Sequence, residues 1–301
     1  MVAEFIHQKL SQPLRWLSFV RRQRAGDKLL RQSANKPPYL PPAEPKQVQD
    51  WLDNTPQAKA LAETYGLSEP LSLMTLTRAQ ITMTYAAYLQ AMVRAVSQTE
   101  IPVQPVWLDV GAKNWDYGQA LTRVLAPKAI TGVELDAYRR YADGYCRWDY
   151  AQTHAKAMAE FAPAHYIAGD VCALTEPFDG ISWFFPFVVP APLVAWGLPD
   201  QCFKPQALLQ HVLGLLKPGG LLFIVNQGDW EAEAQAELLK NAQVELLKNA
   251  QAELLQNTQA ELQKNAQNNA TKRISYKSIV LPEPFYAYRH THRAFLVQKE
   301  A

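Results

Sequence analysis

Two acidic residues lie near the carboxyl ends of two predicted strands in the middle of the chain. Asp109 stands in the apolar run 106–110, which leads into Gly111, and Glu134 stands in the run 130–135. A carboxylate at the end of a strand can accept hydrogen bonds from both hydroxyls of a ribose, because it has two acceptor oxygens. A glycine beside it lets the backbone approach a ligand closely. These residues predict a site for a ribose-containing cofactor.

The elements that must position these residues alternate between strand and helix. Short apolar runs separated by helical segments span residues 106–110, 130–135, 165–168, 180–184 and 221–225. This alternation indicates βαβ crossovers and a mostly parallel sheet, in which ligands bind at the carboxyl ends of the strands. Two more strands, 274–281 and 286–298, suit a closing antiparallel pair. The predicted fold is therefore α/β and Rossmann-like, with a C-terminal antiparallel strand pair and an N-terminal helical extension.

The stretch after the first strand bears on the kind of cofactor. A dinucleotide fingerprint requires G-x-G-x-x-G, so that a pyrophosphate can sit against bare backbone. Residues 111–116 read GAKNWD, with one glycine, and a helix is predicted to begin near Trp115. Lys113 and Trp115 would obstruct a pyrophosphate. Glu134 follows Gly111 by 23 residues, near the expected spacing of about 20, so a ribose ligand remains plausible while NAD is disfavoured.

At this point the sequence resembles the class I S-adenosylmethionine (SAM)-dependent methyltransferases. The resemblance covers residues 106–226 and the C-terminal strand pair, roughly half of the chain. Five features carry it in order: LDVG at 108–111, Glu134, GDV at 169–171, FD at 178–179 and LKPGGL at 216–221. No single feature is specific, whereas their shared order and spacing are.

The resemblance implies a SAM-dependent methyltransferase. The residues expected at the cofactor are Asp109, Gly111, Asn114, Glu134, Asp170 and Val171. Methyl transfer from a sulfonium is a direct displacement, so the protein mainly aligns the acceptor and excludes water. No catalytic residue is identified from the sequence, and no metal site is expected.

Two other functions stay open. One is a catalytically silent binding module with the same fold, which predicts a cofactor pocket filled by the Trp115 side chain. The other is an NAD-type oxidoreductase, which Glu134 alone suggests.

The segment after the fourth strand bears on the acceptor. Some amino-group methyltransferases place a polar residue and two prolines there, whereas this chain has FFPF at 184–187. We expect an apolar wall that could hold a planar or apolar acceptor. It is formed by Trp183, Phe184, Phe185 and Phe187. These rings could equally complete the core. The partner is expected to be a small-molecule methyl acceptor that remains unidentified.

The chain divides into four predicted parts. Residues 1–36 form a basic amphipathic segment with eight Lys or Arg against two Asp or Glu. Residues 37–45 form a proline-rich linker, 46–100 a helical lead-in, and 101–301 the methyltransferase-like domain. A basic helix over residues 5–32 can contact a membrane surface, although packing on the main domain is the favoured interpretation.

An octapeptide repeat interrupts the domain over residues 234–269. The motif AQAELLKN at 234–241 recurs in three further, increasingly loose copies. Eight residues advance a helix by about 800°, so each copy rotates its leucines by about 80° and no apolar seam persists. The repeat therefore predicts one long, largely exposed helix rather than a coiled coil.

Composition excludes several classes. The net charge is +2 with three dispersed cysteines, which gives no strong nucleic-acid signal, no disulfide framework and an expected cytoplasmic location. The uncharged stretch 180–199 contains four prolines and predicts a buried strand and an apolar loop instead of a membrane span. Aromatic residues at 138, 141, 145 and 148 fit one face of a helix over 138–150.

Overall fold

The computed structural model describes residues 2–30, 38, 40–96, 101–256, 274–286 and 292–300. One sheet of seven strands organises them, in the order β3-β2-β1-β4-β5-β7-β6. The strands are β1 Val106–Val110, β2 Ala129–Glu134, β3 Ala164–Ala168, β4 Phe178–Phe184, β5 Leu216–Gln227, β6 Ile274–Ile279 and β7 His292–Lys299. Strands β1 to β5 are parallel, and β7 runs antiparallel to both β5 and β6. The predicted fold is confirmed.

Helices cover both faces of the sheet, which explains why its strands contain continuous apolar runs. In β5, Phe223 and Val225 face one buried cluster, whereas Leu222 and Ile224 face the other. Successive side chains of a strand point to opposite faces, so a strand covered on both sides is mostly apolar. This is why the strands could be recognised as continuous apolar runs.

Ten α-helices are described. They are α1 Val2–Leu30, α2 Pro45–Asp53, α3 Pro56–Thr64, α4 Ser68–Ser72, α5 Leu76–Ala95, α6 Gly118–Leu125, α7 Arg147–Met158, α8 Pro190–Ala195, α9 Pro205–Gly214 and α10 Gly228–Gln256. Helices α2 to α5 share a buried cluster with the sheet, in which Leu71 and Tyr88 belong to the same core as Trp107 and Phe223. The helical lead-in therefore packs on the α/β core.

Two predicted helix positions are wrong. The helix expected over 138–150 begins only at Arg147, because Gly144 has a φ of 89° and an antiparallel bridge joins Arg140 to Cys146, so the chain turns back on itself. The helix expected near Trp115 begins at Gly118. Trp115 itself has a φ of 58°, which a right-handed helix does not allow.

The repeat helix α10 begins before the first octapeptide. The expectation of a largely exposed helix is wrong for the first repeat, since its Gln235 and Leu239 are buried, as is Ala242 at the start of the second copy. Helix α10 is described up to Gln256. Residues 257–269 of the predicted insertion lie outside the described residues.

Helix α1 packs against segments that follow the strands. Phe19 is buried with Leu193 and Leu198, and Arg22 forms an ion pair with Asp136 at 3.0 Å. The stretch 180–199 contains the rest of β4, a loop and the short helix α8. Within the described ranges, no helix combines the length and the apolar character that crossing a bilayer requires.

Candidate active site

A cavity of about 490 Å³ lies at the carboxyl ends of the parallel strands. Each strand from β1 to β5 contributes a residue at or just beyond its end: Gly111, Glu134, Asp170, Phe185 and Gln227. The cavity lies where the strand order reverses between β1 and β4, which is the usual ligand site of an open α/β sheet. Its size falls within the range of about 300–1,000 Å³ typical of small-molecule sites.

Gly111 forms a bend that only glycine adopts without strain. Its φ is 72°, its N–H donates to the Val133 carbonyl at 2.9 Å, and no atom lies within 4 Å of where a Cβ would stand. The bend therefore leaves open space beside the backbone at the wall of the cavity.

We expect Gly111→Ala to lower the free energy of unfolding by about 1–2 kcal/mol, the cost of a left-handed backbone with a Cβ. Urea denaturation measures this loss. Gly214→Ala is the matched control, because Gly214 ends helix α9, also has open space at its Cβ position and has no positive φ. An equal loss in both variants would contradict the backbone explanation.

The Glu134 carboxylate is held by three donors. Its Oε2 accepts from the Lys113 N–H at 3.0 Å, and its Oε1 accepts from the Asp136 N–H at 2.9 Å and from Arg147 Nη1 at 3.2 Å. A carboxylate has about four acceptor positions, so one remains, on Oε2. The expected pair of ribose hydroxyls can therefore bind together only if one of these three donors gives up its hydrogen bond.

Arg147 and Lys113 flank the same tryptophan on the cavity wall. The guanidinium carbon of Arg147 lies 4.7 Å from the centroid of the Trp196 ring, and Lys113 Nζ lies 5.9 Å from it. Both are cation–π distances. The Trp196 carbonyl also accepts a hydrogen bond from Arg139. These contacts hold the Trp196 ring beside Glu134.

Asp109 lies beneath the cavity rather than on its wall. Its carboxylate is fully buried and accepts hydrogen bonds from Ser182 Oγ at 2.6 Å, the Tyr117 hydroxyl at 2.8 Å and Trp115 Nε1 at 2.9 Å. Burial raises the pKa of Asp109 to about 7, although the three hydrogen bonds act in the opposite direction. Asp109 is not among the described residues that line the cavity. Its carboxylate fixes the Trp115 and Tyr117 rings, and direct contact with a cofactor stays a prediction.

Trp115 does not fill the cavity. Its ring is buried against Gly132, where an added Cβ would lie 2.8 Å from ring atoms. The plugged pocket predicted by the silent-module alternative is therefore wrong. Lys113, by contrast, lines the cavity.

The remaining predicted cofactor residues separate into two groups. Asp170 and Val171 line the cavity, and Asp170 Oδ1 accepts from the Cys172 N–H at 2.9 Å to start a 3-10 turn. Asn114 is not among the described lining residues; its carbonyl lies 2.8 Å from His154 Nδ1. A contact of Asn114 with the cofactor stays a prediction.

Aromatic residues at the end of β4 and just beyond it also line the cavity. All four expected residues line it, namely Trp183, Phe184, Phe185 and Phe187. Phe185 has a φ of 56° and donates its N–H to the Val225 carbonyl at 2.7 Å. Whether these rings contact an acceptor stays a prediction.

No protein-family model and no curated protein sequence matches the chain. Solved structures with a similar chain path include three methyltransferases. A SAM-dependent methyltransferase from Clostridium acetobutylicum is 9% identical over 72% of this chain and 92% of that chain, with a TM-score of 0.41. Magnesium protoporphyrin IX methyltransferase from Synechocystis, solved with S-adenosylhomocysteine (SAH), is 14% identical over 73% and 86%, with a TM-score of 0.40. A SAM-dependent methyltransferase from Aquifex aeolicus is 11% identical over 71% and 91%, with a TM-score of 0.40.

The sheet itself decides the fold. Its five parallel strands are followed by β7, which runs antiparallel between β5 and β6 and distinguishes it from a standard dinucleotide-binding sheet. The chain has a Rossmann-like α/β fold with a C-terminal antiparallel strand pair. This is the fold that the sequence predicted.

Within this fold, sequence reasoning missed part of the cavity wall. Tyr85 from α5 and Tyr117 before α6 stack with ring centroids 3.9 Å apart, and Phe184 meets Tyr85 edge-on at 4.7 Å. Arg147 and Trp196 were missed as well. Their sequence signals are ordinary helix and loop patterns, so only the packing of α5 and α8 over the sheet reveals them.

Proposed function

We propose that this protein is a SAM-dependent methyltransferase that acts on an apolar or aromatic acceptor. One observation carries the proposal: the same cavity is lined by the Gly111 bend, by the Glu134 carboxylate and by a set of aromatic rings. The bend and the carboxylate suit a nucleoside, and the rings suit an apolar molecule.

The residues fit the cofactor in three respects. The backbone at Gly111 leaves space for a ligand, and Glu134 Oε2 retains an acceptor position for a ribose hydroxyl. Asp170 and Val171, at the end of β3, stand where the family resemblance places the adenine ring. The pyrophosphate of NAD, bound at the same place, would meet the Lys113 side chain where the dinucleotide fingerprint requires glycine. This disfavours the NAD alternative.

The bound cofactor would supply an activated methyl group with a good leaving group. The chain would then contribute alignment and exclusion of water, since the cavity is bounded by the rings of Tyr85, Tyr117 and Phe184. The electron-rich faces of such rings also favour a cationic group. A general base is needed only if the acceptor must lose a proton before transfer.

Isothermal titration calorimetry of the full chain with SAM and with SAH tests the proposal. We expect both to bind, and a fluorescence titration with NADH to show no binding. Absence of SAM and SAH binding at millimolar concentration would overturn the proposal, and tight NADH binding would support the oxidoreductase.

A further inference from the structure

The outer face of helix α1 exposes large apolar side chains. Leu14 is 69% exposed and Leu17 45% exposed. The opposite face holds the helix on the protein through Phe19, which is buried. Trp16 is 44% exposed and lies beside Phe19, with ring centroids 6.2 Å apart, at the flank of the helix. Two exposed leucines one turn apart form a local apolar patch on the outer face.

The same outer face is cationic. Residues 12–26 contain four arginines and no acid. Arg15 and Arg22 pair with Asp200 and Asp136 at 3.1 and 3.0 Å, whereas the described residues offer no ion-pair partner to Arg21 or Arg24, which are both exposed. Positions 14, 17, 21 and 24 share one helical face, so the apolar and cationic side chains point in the same direction.

Helix α1 is fixed beside the mouth of the cavity. Gln23 donates to the Leu135 carbonyl at 2.7 Å, directly after Glu134, and Phe19 packs on α8 through Leu193. Two further exposed tryptophans lie at this carboxyl edge of the sheet: Trp196, which lines the cavity, and Trp230, three residues beyond β5. The edge that bears the cavity thus also bears exposed apolar rings.

We propose that this edge docks on the surface of an anionic lipid bilayer. Leu14 and Leu17 would enter the boundary between headgroups and acyl chains, and Arg21 and Arg24 would face the anionic headgroups. Tryptophan is enriched at such interfaces. A nucleic acid would leave the leucines unmatched, and a second copy would bring arginines against arginines. An apolar acceptor could then enter the cavity from the bilayer. This entry route rests on the proposed function, whereas the lipid contact does not.

Vesicle flotation of the full chain tests the lipid contact. We expect binding to vesicles of equimolar phosphatidylcholine and phosphatidylglycerol and weaker binding to phosphatidylcholine alone. The double variant Leu14→Glu/Leu17→Glu should partition at least about tenfold more weakly, because it replaces apolar contact with charge. Arg21→Gln/Arg24→Gln should lose about 30-fold on anionic vesicles, since each cation near such a surface contributes about 1 kcal/mol.

The matched control is Val103→Glu. Val103 is 94% exposed and precedes β1, at the opposite edge of the sheet, so this variant should bind vesicles like the wild type. No flotation of the wild type, equal binding by Leu14→Glu/Leu17→Glu, or an equal loss in Val103→Glu would overturn the proposal. The proposal would also be overturned if the wild type formed a dimer instead of binding vesicles and the leucine substitutions converted that dimer to a monomer. Calorimetry with SAM on the same variants separates a failed lipid contact from a failed cofactor site.

Discussion

Glu134→Ala is expected to bind SAM about 10- to 160-fold more weakly than the wild type. The loss corresponds to about 1.5–3 kcal/mol, the contribution of a hydrogen bond to a charged group. Glu134 keeps one acceptor position on Oε2 and lies on the cavity wall, so its removal takes away the acceptor of a ribose hydroxyl. Isothermal titration calorimetry on the folded variant measures the change in affinity.

The same substitution should also destabilise the fold. Arg147 is 4% exposed and donates to Glu134 at 3.2 Å, and breaking a buried ion pair by removing one partner costs about 3–5 kcal/mol. Urea denaturation measures this loss separately from affinity. The double variant Glu134→Gln/Arg147→Met removes both charges and should recover part of the stability while the affinity stays low.

Glu176→Gln is the control for both measurements. Glu176 is an exposed acid just before β4, away from the cavity, so neither affinity nor stability should change. An unchanged SAM affinity in Glu134→Ala would remove Glu134 from the cofactor site.

Asp109→Ala is expected to lose at least about 3 kcal/mol of unfolding free energy. Three buried donors, from Ser182, Tyr117 and Trp115, would lose their acceptor, and each buried donor left unpaired costs about 1–3 kcal/mol. Asp109→Asn should lose much less. Its amide oxygen can accept from the two rings while its amide nitrogen donates to Ser182 Oγ.

The stability of the wild type relative to Asp109→Asn should fall as pH rises. Burial raises the pKa of Asp109 from 3.8 to about 7, so the unfolded chain releases this proton at lower pH than the folded protein does. The contribution of Asp109 to stability is therefore fully present below pH 4 and is lost as pH rises through about 7, a change of about 4 kcal/mol. Urea titrations of both proteins between pH 4 and 8 test it. A constant difference across that range would contradict the raised pKa; Asp143→Asn, at an exposed acid, is the control.

The strands could be predicted because both faces of the sheet are buried. A strand such as β5 is apolar at every position from Leu221 to Val225, as expected for a strand that is buried on both faces. The helix over 138–150 was wrong for the opposite reason. Its aromatic spacing fits a helix, but the positive φ of Gly144 and the bridge from Arg140 to Cys146 reverse the chain.

The sequence by itself determined the α/β fold and placed Gly111, Glu134, Asp170 and Val171 at one edge, because the ends of parallel strands meet there whatever the side chains pack against. Only the tertiary structure decided what surrounds them. Asp109 lies below the cavity because the Trp115 ring turns beneath the bend, against Gly132. Tyr85, Arg147 and Trp196 reach the wall from segments far apart in the chain, and contacts between distant segments depend on helix packing, which leaves no periodic signal in the sequence.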